Sequence, residues 1–180
     1  LWTFVGNMLI DFYGGDPAAP WGRIEREFYD LERSVLAHSQ WARIILGYLR
    51  AAAALVRLLS DHGDSERPGL VRLIEHEASR LALASAPWAR PLGELVGAAL
   101  AAALGHRERA LAGLRAAEPG LRAADMATFA AAARRRLGEL VGGEHGAELI
   151  GAADVALSEQ GVRRPDRMAH ALVPGFLGRS

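Results

Sequence analysis

A chain of 180 residues is long enough for one domain, or for a short array of helical repeats, with a real buried core. Its 21 basic residues, all arginine, are cancelled by 21 acidic ones, which removes the positive field that binders of nucleic acid or anionic membrane carry and leaves self-association or a permanent partner open. The absence of cysteine excludes disulfides, thiolate zinc sites and cysteine nucleophiles, and it suits a cytoplasmic setting.

The composition is 51% hydrophobic but only 7% aromatic, so alanine and leucine dominate and helix is the default expectation. The longest apolar run, Leu95 to Leu104, is too short to span a bilayer, and no basic start with a cleavable apolar segment is visible. The chain opens on Leu1 and is apolar from there, so it reads as the C-terminal piece of a longer multidomain protein.

Taken in order, residues 1–13 are apolar enough for a buried helix that stops at Gly14 and Gly15. Asp16 is expected to cap a second helix with Pro17 at its first position, and Ile24, Phe28, Leu31 and Val35 line one face. From Trp41 to Leu59, apolar residues keep the 3.6-residue period of a long helix, which Gly63 and Pro68 then break. Leu70, Ile74, Ala78 and Leu81 begin the next stripe, which Pro87 ends.

A third pair places Trp88, Leu92, Leu95, Val96, Ala99 and Ala103 on one helix face. Gly105 turns the chain, and Ala110, Leu111, Leu114 and Ala117 follow before "EPG" interrupts at Glu118. The fourth pair runs from Met126 to Leu140, turns at Gly142 and Gly143, and returns through Leu149, Ile150, Ala153 and Leu157. A short helix begins near Pro165 and closes the chain at "VPGF".

The turn glycines recur every 38 to 49 residues or so, a period that marks helical solenoids in which each two-helix unit hides its apolar face on its neighbours. Ala98, Gly105, Ala110 and Ala117 stand where tetratricopeptide repeats place small residues, so this unit resembles such a repeat. The other units depart from it, with Pro20 and Pro68 in place of alanine and Glu27, Glu75 and Asp154 in place of the last small residue. The expected fold is all-α: a single tetratricopeptide-like domain over 1–180, an α-solenoid of about four helix pairs plus a C-terminal capping helix.

Several phrases, among them "FYGGDPAAPWGRIE", "APWARPLGELVGAALAAALGHRERALAGLRAAE", "FAAAARRRLGELVGGEHGAELI" and "EQGVRRPDRMAHALVPGF", resemble the C-terminal helical region of bacterial, myxobacterial-type, eukaryotic-like serine/threonine protein kinases. That resemblance implies an interaction or regulatory module within a signalling protein whose kinase and ATP-binding parts lie in other sequence. No glycine-rich loop, "HRD" or "DFG" is present, and with no lysine the phosphate-pairing residue of a kinase is missing, so no catalysis is expected of the fragment itself.

The richest candidate for a site is "RRRLGELVGGEHG", Arg134 to Gly146. On a helix its three consecutive arginines point about 100° apart and cannot converge on one phosphate. Gly142 and Gly143 suit a left-handed cap and Glu144 suits the positive start of the next helix, so the stretch reads as a joint. The six histidines show no metal-ligand spacing, and Glu75, His76 and Glu77 splay around a helix, so neither a metal nor a cofactor is expected.

Trp41 and Trp88 read as core, whereas Trp2 and Trp21 read as the edge of a severed interface. Arg43, Arg50 and Arg57 form one polar ridge. Tetratricopeptide arrays line their concave surface with the first helix of each pair, and that resemblance implies a protein-binding groove at Arg43, Arg50, Glu94, Arg134 and Arg135. The partner is a protein or peptide, or the parent's own catalytic domain. The main rival is a small-molecule sensor of a signalling ATPase or transcriptional regulator, which a large closed apolar cavity would favour over an open groove.

Overall fold

A computed structural model describes residues 1–34, 39–60 and 66–176, and among them every regular element is helical and no strand is present. Val35, His38, His62 and Gly63 lie outside the described residues. No helix among those described is long and apolar enough to cross a membrane.

Helix α1 (Trp2–Gly14) ends where Gly15 adopts the left-handed conformation, φ 81°, and donates its N–H to the Asp11 carbonyl. The next helix starts later than Asp16. The Asp16 carboxylate accepts the Ala18 N–H at 2.9 Å, which makes a local turn rather than a cap, and α2 (Ala19–Arg23) carries Pro20 in its first turn. It runs through a π-helical turn, Ile24–Phe28, into α3 (Tyr29–Arg33), with Ile24 and Phe28 buried. Arg23 ties this segment to α1 by a two-pronged bond to Asp11, 2.6 Å from Nε to Oδ2.

Three regular pairs follow: α4 (Gln40–Leu58) with α5 (Arg67–Leu83), α6 (Ala89–Ala103) with α7 (Arg107–Ala123), and α8 (Ala127–Val141) with α9 (Gly143–Glu159). Each helix also packs on the next in sequence, and α4 reaches α6 directly. The first helices of the pairs are the central ones. In α4, Ala51 to Leu55 are all buried, so the helix is enclosed on every side, which its apolar stripe alone does not foretell. The second helices bury single faces, such as Leu70, Ile74 and Leu81 on α5 and Leu114, Ala117 and Leu121 on α7.

Small residues let the pairs close. A Cβ on Gly113 would lie 2.9 Å from the Ala98 Cβ, and Gly138 and Gly146 bring α8 and α9 together backbone to backbone. The turns after α6 and α7 share one geometry. Gly105 (φ 79°) and Asp125 (φ 57°) take the left-handed position, and the next residue's N–H reaches back to Ala101 and Leu121 respectively.

"EPG" does not interrupt α7. Pro119 lies inside the helix, which forfeits one backbone bond yet is held by its buried neighbours Ala117 and Leu121, while Gly120 sits tightly on the Pro91 ring. The tryptophans divide only in part as expected: Trp88 is half-buried against the core and Trp2 is exposed, but Trp41 is only half-buried. Trp41 meets the ring of exposed Trp2 at 4.8 Å, and Trp21 is half-buried with its indole N–H donated to Glu25 at 2.9 Å.

The closing helix α10 (Pro165–Leu172) does more than cover the last pair. It packs on α8 and α9 and also on α1, so the two ends of the described array meet.

Candidate functional site

The "RRR" stretch resolves into three separate contacts. Arg134 Nε donates to Glu118 on α7 at 3.0 Å, Arg135 Nε donates to Asp154 on α9 at 2.8 Å, and Arg136 turns inward. Successive helical residues diverge, and each guanidinium finds a different neighbour. Gly142, φ 68°, alone separates α8 from α9, and Arg107 donates to the last carbonyls of α8, Leu140 at 2.8 Å and Val141 at 3.3 Å. The stretch is a joint.

The five residues expected to line a groove have different neighbours. Arg43 borders a cavity of about 410 Å³ between α4 and α5, together with Gly47, Glu77 and Arg80. Arg50 lies beside that cavity, with its guanidinium over the Phe28 ring at 4.7 Å and its Nη1 3.4 Å from Glu77. Glu94 pairs with Arg90 one turn earlier on α6, at 3.3 Å. Arg134 and Arg135 face α7 and α9, as described.

Glu77, which splays from Glu75 and His76 around α5, is the one of the three that turns into the core. It is 1% exposed, bonded by Arg80 at 2.9 Å and by Arg50. Its position was legible, since 70, 74, 77 and 81 follow the four-three-four spacing of the buried face.

The central helices do carry a groove, and the chain's own C-terminal segment lies in it. After α10 ends, Val173, Pro174, Gly175 and Phe176 run without regular structure and are all buried. Val173 and Pro174 meet Tyr48, Ala52 and Leu55 of α4 and Leu95, Val96 and Ala99 of α6. The Gly175 backbone is so close to the floor that an added Cβ would stand 3.1 Å from the Ala99 Cβ and 3.3 Å from the Leu55 Cβ.

Two side chains meet consecutive carbonyls where α10 passes into this segment. The Tyr48 hydroxyl donates to Leu172, and Arg136 Nε on α8 donates to Val173 at 3.1 Å. Arg136 is only 4% exposed. Its Nη1 donates to Glu139 at 2.6 Å, its guanidinium stands over the Phe176 ring at 5.9 Å, and its Nη2 has no partner among the described residues. Burial pushes the Tyr48 phenol above its ordinary value, so it stays a donor.

Burying Val173 and Phe176 contributes ~1.5–3 kcal/mol each, and the two hydrogen bonds ~1 kcal/mol each. Ordering the backbone of all four residues 173–176 costs ~1–2 kcal/mol apiece. The two sides nearly cancel, so the segment is seated with little net stabilisation.

A half-open cavity of about 340 Å³ adjoins the seated segment, walled by Phe12, Val56, Leu59, Gly175 and Phe176, with Asp11, Asp16, Ser60 and His170 as its polar groups. Burial holds the His170 imidazole below its ordinary value, the Arg136 charge adds to this, and Glu139 opposes it. The unfolded chain therefore takes up this proton first as pH falls through about 6.5. The stability supplied by neutral His170 is complete above that pH and is lost as pH drops toward the lower folded value. Urea midpoints should fall between about pH 7.5 and about pH 5.5, and fall less in His170→Gln. Equal falls in both proteins would acquit His170.

No three histidine or acidic side chains gather in a metal-binding set among the described residues. No family model matches the sequence, and no curated protein and no solved structure matches it.

Proposed function

We propose that this chain is a non-catalytic protein–protein interaction and regulatory module, a tetratricopeptide-like array whose groove across α4, α6 and α8 takes an extended, largely apolar peptide segment. One observation carries the reading: a stretch of the chain itself lies there in that manner, with its carbonyls met by Tyr48 and Arg136 and its side chains on an alanine- and leucine-lined floor. Such a floor gives affinity through apolar area, and donors to backbone carbonyls set direction without demanding a particular sequence. Small residues at the contacts of α6 with α7, Ala98 against Gly113 with Ala110 and Ala117 buried, support the tetratricopeptide-like assignment.

The phrases shared with bacterial serine/threonine kinases would put such a module in signalling, with its partner either another protein or the parent's own catalytic domain. A second reading, a small-molecule sensor, draws on the cavity beside Phe12 and Phe176, whose apolar walls and few polar groups suit a compact ligand.

Display selection of random peptides on the full chain tests the first reading. It should enrich segments rich in aliphatic and aromatic residues, and their capture should be lost in Ala99→Leu, which fills the floor under Gly175 at a stability cost of roughly 1–3 kcal/mol. Thermal melting of that variant checks that it still folds. Enriched peptides that bind Ala99→Leu unchanged, or no enrichment at all, would reject the groove as their site.

A further inference from the structure

We propose that Leu172–Phe176 is an occupant in cis that gates the groove. It leaves to admit a partner segment of its own chemistry: an aliphatic residue, proline, a residue without a side chain, then an aromatic ring. This rests on the groove being a peptide site, as proposed above.

Four observations carry it. Beyond Leu172, the last residue of α10, the segment has no regular secondary structure, and no main-chain hydrogen bond among the described residues holds Pro174, Gly175 or Phe176, so the groove is what keeps them in place. Tyr48 and Arg136 bind carbonyls, which any extended chain presents. The φ of 96° at Gly175 and its close approach to Ala99 and Leu55 make the third place of the motif selective, because a side chain there is strained and must push the floor back by a few tenths of an ångström.

The fourth is Arg136. It is buried under Phe176 with Nη2 unpartnered among the described residues, so the seated segment leaves one donor of the groove unused. A partner segment that brings one more acceptor to that nitrogen would bind better than the segment it replaces. While the tail is seated it competes at the high effective concentration of a tethered ligand, and the apparent affinity for a free peptide falls by the fraction of molecules that are open.

The chain has no cysteine, so a lock can be built cleanly in the full chain with Ala99→Cys and Gly175→Cys. The 3.1 Å between the two Cβ positions is a few tenths of an ångström below the ~3.5–4.5 Å range of a disulfide, a gap that small shifts close. The probe is a fluorescent peptide copying residues 169–176. The reduced double variant should bind it at least about tenfold more tightly than the oxidised one, since oxidation pins the tail. Phe176→Ala, which loosens the tail without touching the groove floor, should likewise bind it more tightly than the wild type.

Equal affinity in the oxidised and reduced states would overturn the gate. Alkylation of the thiol introduced by Val173→Cys alone, at a fully buried place of the segment where a side chain already stands, reports tail release independently. A protected thiol with no peptide bound means that the tail does not leave, and the gate falls. A freely reacting thiol with no peptide bound means that the open groove takes no peptide, and the functional reading falls with it. A reduced form that dimerises by exchanging tails, and that excess peptide does not dissociate, would assign the seat to a second copy and overturn the external partner.

Discussion

Replacing Gly146 by valine is expected to lower the unfolding free energy by about 3 kcal/mol or more, read as a shift in the urea midpoint at unchanged slope. At the crossing of α8 and α9 a Cβ on Gly146 would stand 2.5 Å from the Gly138 carbonyl oxygen, and one on Gly138 would stand 2.7 Å from the Gly146 carbonyl oxygen. Both obstacles are backbone, so no rotamer change relieves the clash. The helices must separate, and separation exposes Ala153 and Leu157, both fully buried on α9. The internal control is Gly151 on the same helix, where nothing lies within 4 Å of an added Cβ. Gly151→Ala should stabilise by roughly 0.5–1 kcal/mol, because alanine loses less backbone freedom in a helix. If Gly146→Val costs no more than an exposed substitution, the two helices do not cross at these glycines.

The second large effect is expected at Glu77. Breaking a buried ion pair by removing one partner costs about 3–5 kcal/mol. Here Arg80 and Arg50 are 41% and 31% exposed and can partly rehydrate, so Glu77→Ala should cost less, roughly 2–4 kcal/mol. Arg50 is the group left worst off, since its Nε already lacks a partner among the described residues and its guanidinium is pinned against Phe28. The double variant Glu77→Leu with Arg50→Leu should recover much of the loss, because paired apolar replacements remove the stranded charge together with its desolvation cost. Urea unfolding of both proteins decides it. A loss below about 1 kcal/mol for Glu77→Ala would make the pair equivalent to a surface contact.

Taken together, the seated C-terminal segment and the meeting of α1 with α10 make the described array a closed body rather than an open scroll. Its central helices are covered on one side by α5, α7 and α9 and on the other by the chain's own end. A groove filled in cis with little net stabilisation is suited to regulation, since a modest competing affinity shifts its occupancy.

Much of this was legible in the residues. Helix character, the joints at Gly15, Gly105 and Gly142, and the single buried faces of α5 and α7 follow from periodicity and from the left-handed preference of glycine, both local properties. Where local rules failed, packing had overridden them: Pro119 stays helical because its neighbours are buried, and the helix after Gly15 starts at Ala19 because Asp16 bonds the nearer Ala18 N–H. The neighbours of the residues expected to line a groove were the least legible part. Arg43, Arg50, Glu94, Arg134 and Arg135 lie on polar stripes, and a stripe shows which side of a helix is polar without naming the neighbour that it meets.

Which neighbour a polar stripe meets depends on the order in which helices pack, and so on contacts distant in sequence. Tyr48 meets Leu172 across 124 positions and Arg136 meets Val173 across 37, and no period or motif encodes either encounter. The sequence by itself determined where the chain coils and where it turns, because those choices are made within a few residues. Only the tertiary structure decided which charges are buried and that the chain's own end fills its groove, because burial is a property of what surrounds a side chain.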